Sequence, residues 1–169
     1  CRRIQHITFE AFEWLLRIHT DAARIPNAYG HLPLHLAAAA SVGTTADEIV
    51  PLLELLIETF PQALEHADHE GDIPFQCLVH SNDDISKAIL NIFLPSDMSH
   101  TCNAQSGRWP LHTACENGAP SSVLQALIDY QPDSLGIFDK FGHLPLHIAL
   151  REPLYSISDL RLLWTTTNL

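Results

Sequence analysis

Histidine is the residue type that would announce chemistry in this chain, with eleven copies beside four cysteines. Imidazole and thiolate are the usual protein ligands of zinc. His66-Ala-Asp-His69, with His100 and Cys102 further on, is the cluster whose residue types suit a metal. Its spacing matches no closed tetrahedral pattern, so no metal site is expected. A nucleophilic thiol needs a base beside it, and Cys115 stands one helical turn after His112. Its counterparts elsewhere in the chain are Ala38, Val79 and Leu150, which makes a packed core thiol the expectation. Glu116 and Asp129 are isolated carboxylates. There is no G-x-S-x-G elbow, phosphate-binding glycine loop, H-E-x-x-H or C-x-x-C. Nothing assembles a base, a nucleophile and an oxyanion site, so neither enzyme activity nor a cofactor is expected.

The histidines make better sense as parts of a repeat. Gly30-His-Leu-Pro-Leu-His35 recurs letter for letter at Gly142-His-Leu-Pro-Leu-His147. It returns with two changes at Gly107-Arg-Trp-Pro-Leu-His112 and in degenerate form at Gly71-Asp-Ile-Pro-Phe-Gln76. Intervals of 41, 36 and 35 residues between the glycines mark a stack of supersecondary units. Glycine supplies the positive φ of a tight turn. Proline suits the first helical position, where its missing N–H costs nothing. The next apolar residue faces inward, and His or Gln can reach backbone groups left unpaired at the turn.

G-x-L-P-L-H followed by x-A resembles the G-x-T-P-L-H-x-A signature of ankyrin repeats, at similar spacing and over nearly the whole chain. The resemblance implies an all-α, ankyrin-type solenoid of stacked helix-turn-helix repeats with extended, hairpin-like finger turns. One departure is systematic: where the family has threonine before the proline, this chain has Leu32, Ile73, Trp109 and Leu144. A missing hydroxyl cap costs about 1 kcal/mol per helix. Burying a large apolar side chain there returns roughly 1.5–3 kcal/mol, so the swap is neutral or better. The threonine–histidine hydrogen bond of the family motif has no counterpart here.

A net charge of −11, with 46% hydrophobic and 17% charged residues, fits a folded domain rather than a disordered chain. The charge is uneven: residues 44–107 hold eleven acids against Lys87. Nucleic acid binding relies on Lys and Arg and is not expected; a basic protein surface suits this acidic block better. No apolar run approaches the ~20 residues of a membrane span, and no small-molecule ligand is expected. The cysteines fit reduced core thiols, hence an intracellular, cytoplasmic location.

Stepping back from each glycine by fifteen residues finds Leu15, Leu56, Ile92 and Leu127. By eighteen it finds Phe12, Leu53, Ile89 and Leu124, and by fourteen Leu16, Ile57, Phe93 and Ile128. These offsets form one apolar stripe of a second helix in every unit. The six extra residues of the longest interval are then expected between helices, around Ala40-Ser-Val-Gly-Thr-Thr45, with Thr45-Ala-Asp-Glu48 as a capping box. Pro51 predicts a kink or a late start in the helix that follows. Asn27, Asp68 and Asp139 sit three residues before a glycine, where a short polar side chain bonds to the turn. Ala104 holds that place before Gly107, with Asn103 one residue off, so that finger is expected to be set differently.

The whole chain, 1–169, thus reads as one array. A partial repeat (1–27) precedes repeats at about 28–68, 69–104 and 105–139, and an incomplete repeat (140–169) follows. It opens at Cys1 without methionine, and neither end reads as a polar cap, so more repeats are expected on both sides. The expected function is a protein–protein interaction module displaying a concave, partly acidic surface. A non-catalytic regulatory or targeting segment of a larger enzyme is the alternative. The family's contact positions flank the turn glycine and the end of the first helix. The resemblance places them at Tyr29, His31, Ala39 and Ala40; Glu70, Asp72, His80 and Ser81; Ser106, Arg108, Glu116 and Asn117; and Phe141, His143, Arg151 and Glu152. Tyr29 and Phe141 stand where a solvated tip would take a polar residue, and aromatics are enriched among binding hot spots.

Overall fold

The computed structural model describes residues 9–41, 46–79, 85, 87–93, 102–103, 105–151 and 153–164. Among these residues the regular structure is helical, without strands. Each of the four glycines precedes a helix by three residues, and proline opens that helix every time. The four first helices are α2 (Pro33–Ala40), α4 (Pro74–Val79), α6 (Pro110–Glu116) and α8 (Pro145–Ala149). The second helices are α1 (Phe9–Ile18), α3 (Ala46–Thr59), α5 (Lys87–Phe93), α7 (Ser121–Tyr130) and α9 (Ile157–Trp164). Short 3-10 turns at Thr20–Arg24, Pro61–Glu65 and Pro132–Gly136 lead from a second helix into the finger. None of the described helices is long and apolar enough to cross a membrane.

Packing follows the repeat. α2 lies on α4, α4 on α6 and α6 on α8, while α1 lies on α3 and α3 on α5. Leu34, Phe75 and Leu111 are buried in register at the same place in successive units, with Leu32 and Ile73 beside them. Leu144 and Leu146 are only half-buried, because α6 covers one side of their unit. Trp109 is also half-buried, as suits a side chain too large to disappear easily. Leu53, Leu56, Ile89, Phe93, Leu124, Leu127 and Ile128 form the buried stripe of the second helices, and Ile57 and Ile92 are partly covered. Residues 12 and 15 of that stripe lie outside the described side chains.

Three expectations change. α3 starts at Ala46 and runs unbroken through Pro51, so the late start is not seen. Proline removes a single bond, to the carbonyl of Asp47, while buried Ile49, Leu53 and Leu56 hold the helix on both sides. The extra residues of the first interval are mostly helix rather than loop, since α3 has 14 residues against 10 in α7. The turn 42–45, including the cap at Thr45, lies outside the described residues. Cys115, Ala38 and Val79 are fully buried, but Leu150 is 61% exposed. It belongs to the last described unit, and no further described repeat stacks on it to cover that side.

Candidate binding face

Each finger is built around one short polar side chain. Asn27 Oδ1 accepts the N–H groups of Tyr29 and His31 at 2.9 and 3.0 Å. Asp68 Oδ1 accepts those of Glu70 and Asp72 at 2.8 and 2.9 Å. Asp139 does the same for Phe141 and His143 at 2.9 and 2.8 Å. The third finger is one residue longer, with Asn103 accepting from Gln105 and Ser106 at 2.9 and 2.7 Å. The displaced side chain keeps its role because the turn gains a residue. At the tip of the first finger, Gly30 has φ +85°, and a Cβ there would lie 2.8 Å from the His69 backbone nitrogen. Glycine therefore serves both the turn and the approach of the next finger.

Neighbouring fingers are stitched together. The His69 N–H donates to the Tyr29 carbonyl at 3.1 Å, and the Lys140 N–H to the Ser106 carbonyl at 3.0 Å. The residue after each of the first three glycines also reaches the finger side chain of the next unit. His31 Nε2 lies 3.0 Å from Asp68 Oδ2. Asn103 Nδ2 donates to Asp72 Oδ1 at 2.6 Å. Arg108 Nε lies 3.6 Å from Asp139 Oδ2. Burial alone would raise the Asp139 carboxyl, but the N–H bonds from His143 and Phe141 and the His143 ring hold it below the usual carboxylate range.

Inside, the motif histidines close a second set of bonds. None of the apolar cap residues Leu32, Trp109 and Leu144 can cap through a side chain. Instead their own N–H groups donate to Nδ1 of His35, His112 and His147 at 3.1, 3.2 and 3.0 Å. Gln76 Oε1 takes the Ile73 N–H at 3.0 Å in the same way. These rings and this amide are occupied by structure.

The residues marked for contact now separate. Tyr29 and Phe141 are 70% and 66% exposed at their finger tips. Ala39, Ala40, Glu70, Glu116 and Arg151 are exposed as well, while Ser106, Arg108, Asn117, His31 and His143 are half-buried. Arg108 pairs with Glu116 through its guanidinium. Asp72 is buried and bonded to Asn103, so Glu70 is the acid that this finger presents. His80, Ser81 and Glu152 lie outside the described residues.

The thiols are poor candidates for chemistry. Burial pushes Cys77 up to about 12 and raises Cys115 further from the thiolate range. His66 and His69 sit beside the second finger, and His100 lies outside the described residues. Among the described residues, no group of three or more His, Cys, Asp or Glu side chains could hold a metal ion. The pairing of finger to finger was missed in the sequence. Its signal was there: the residues after the glycines run His, Asp, Arg, and the facing finger residues run Asp, Asn, Asp.

Paired helices that repeat the same turn, the same cap bond and the same inter-unit contact define a helical repeat protein. The ankyrin repeat family model matches residues 106–135, within the third unit, and supports reading the chain as an ankyrin-repeat protein. Ankyrin repeats are typically non-catalytic protein-interaction modules. No curated protein matches the chain.

Proposed function

We propose that residues 1–169 form one ankyrin-type solenoid that binds another protein through its finger tips and the ends of its first helices. The observation that carries this reading is the exposure of Tyr29 and Phe141, 70% and 66%, on fingers fixed by hydrogen bonds. Large aromatics on rigid tips offer contact area at little entropic cost. Ala39, Ala40, Glu70, Ser106, Arg108, Glu116, Asn117, His143 and Arg151 extend the surface, with His31 at its rim and Asp72 supporting it from beneath. His80, Ser81 and Glu152 belong to it by repeat position. Glu70 and the acidic stretch 44–107 favour a partner with a basic surface, chiefly by speeding encounter. Nucleic acid is disfavoured by the net charge of −11. Free thiols at Cys77, Cys102 and Cys115 fit a reducing, intracellular compartment.

The test begins with cross-linking capture, using the chain as bait, and continues with Tyr29→Ala, Phe141→Ala and Glu70→Lys against the captured partner. The alanine variants are expected to dissociate at least tenfold faster, and the lysine variant to associate more slowly with weaker salt dependence. Folded variants that bind like the parent would place the contact on another face.

A further inference from the structure

His35 and His112 each spend both ring nitrogens. The Leu32 N–H donates to His35 Nδ1 at 3.1 Å, and His35 Nε2 lies 3.2 Å from the Asp72 carbonyl oxygen. The Trp109 N–H donates to His112 Nδ1 at 3.2 Å, and His112 Nε2 lies 3.1 Å from the His143 carbonyl oxygen. A carbonyl can only accept and an amide N–H can only donate, so Nε2 must carry the proton and Nδ1 a lone pair. Neutral imidazole in that tautomer satisfies both bonds. Imidazolium would set one N–H against another inside residues that are 1% and 0% exposed.

The junction between these two is built differently. Gln76 Oε1 accepts from the Ile73 N–H at 3.0 Å, and its Nε2 donates to the Arg108 carbonyl at 3.3 Å. A carboxamide offers the same acceptor and donor as neutral histidine, yet it does not titrate.

We propose that His35 and His112 are proton-sensitive latches. As the medium acidifies from neutral to about pH 5, they release the α2–α4 and α6–α8 junctions, while Gln76 keeps α4 joined to α6. Acid then loosens the first and last of these units and spares the central pair. Burial, the largest influence, lowers both rings from their ordinary value. Around His35, the His31 ring stacked at 5.7 Å and the His66 ring edge-on at 5.9 Å add to that direction. The Asp72 carbonyl and the Asp68 carboxylate oppose it. Around His112, Arg108 lowers the ring, while the His143 and Ile137 backbone and the Asp139 carboxylate raise it.

The sign follows directly. Each ring is neutral when folded and protonates when unfolded, so unfolding takes up a proton below the ordinary histidine value of about 6.5. Stability is complete above that value and falls as the pH drops toward the folded one. Because the His69 N–H is bonded to the Tyr29 carbonyl, loosening the first junction would also part the fingers. Only that consequence rests on the binding reading above.

Urea unfolding of the parent, His35→Gln, His112→Gln and the double variant between pH 7.5 and 5 tests the proposal. In the parent, each histidine is expected to raise the unfolding constant by up to about tenfold per pH unit, and the pair by up to about 100-fold. The double variant should lose that share of the slope. Hydrogen exchange, corrected for intrinsic rates, should rise in α2 and α8 before α4. A double variant with the parent's slope, or α4 opening with the others, overturns the proposal. Should the double variant not fold, NMR titration of the parent decides. Rings that stay neutral until Leu32 and Trp109 lose amide protection support it, and rings that protonate with protection intact overturn it.

Discussion

The carboxamide of Asn103 donates to the carboxylate of Asp72 across 2.6 Å, joining the second finger to the third. Both residues are buried, and Asn103 also donates to the Glu70 carbonyl at 3.2 Å. On either side the corresponding finger residue is an acid, Asp68 or Asp139, and it faces His31 or Arg108. The amide thus stands where a carboxylate would meet a carboxylate. Matching the residue after each glycine to the next finger keeps every junction free of buried like charges.

Asn103→Asp should therefore destabilise the chain by about 3 kcal/mol, the scale of an uncompensated buried charge. The new carboxylate still accepts from Gln105 and Ser106, so the turn itself is not what is lost. Adding Asp72→Asn restores a donor opposite the acid and should recover most of the loss. Urea midpoints of the two single variants and the double variant read the coupling. Additive effects would show that the contact is incidental.

Two glycines separate backbone strain from simple flexibility. Gly30→Ala should cost roughly 1–3 kcal/mol, because φ is +85° and the added Cβ would meet the His69 backbone nitrogen at 2.8 Å. Gly136→Ala has nothing within 4 Å of its Cβ and should be neutral or slightly stabilising. Thermal midpoints decide, and equal losses at both positions would remove the role assigned to the first finger.

Much of the fold was legible because its signals are local. Gly30, Gly71, Gly107 and Gly142 announced turns, and the prolines three residues later announced helix starts. What could not be read depended on contacts between units. Leu150 looked like a core residue by register, yet burial needs a neighbour, and the described last unit has cover on one side. Pro51 pointed to a late helix start that is not seen, because a single-residue propensity cannot weigh the packing of Ile49, Leu53 and Leu56. Asp72 was read as surface charge, because position after a turn glycine says nothing about which side chain comes to meet it from the next finger. Exposure at Tyr29 and Phe141 was readable, since finger tips have no neighbour beyond them.

Asp139 links the last two fingers through charge, and its removal should show a distinctive pH dependence. Its Oδ1 accepts two backbone N–H groups, while Oδ2 lies 3.4 Å from His143 Nδ1 and 3.6 Å from Arg108 Nε. Asn27 and Asn103 show that an amide oxygen can carry the Oδ1 role, so Asp139→Asn should keep the turn. It loses only the charge that faces His143 and Arg108, at a cost of about 1–2 kcal/mol near neutral pH. The folded carboxyl lies below its ordinary value, so it is ionised in both states above about pH 5. As the pH falls further, the unfolded chain takes up the proton first, and the stability contributed by this group is lost. The gap between parent and variant should thus hold steady from pH 6 to about pH 5 and narrow below it. Urea midpoints taken at half-unit steps measure the gap. A difference that stays constant down to pH 3.5 would assign the effect to packing rather than to the Asp139 charge, and one that narrows already between pH 7 and 5 would exclude this carboxyl as its source.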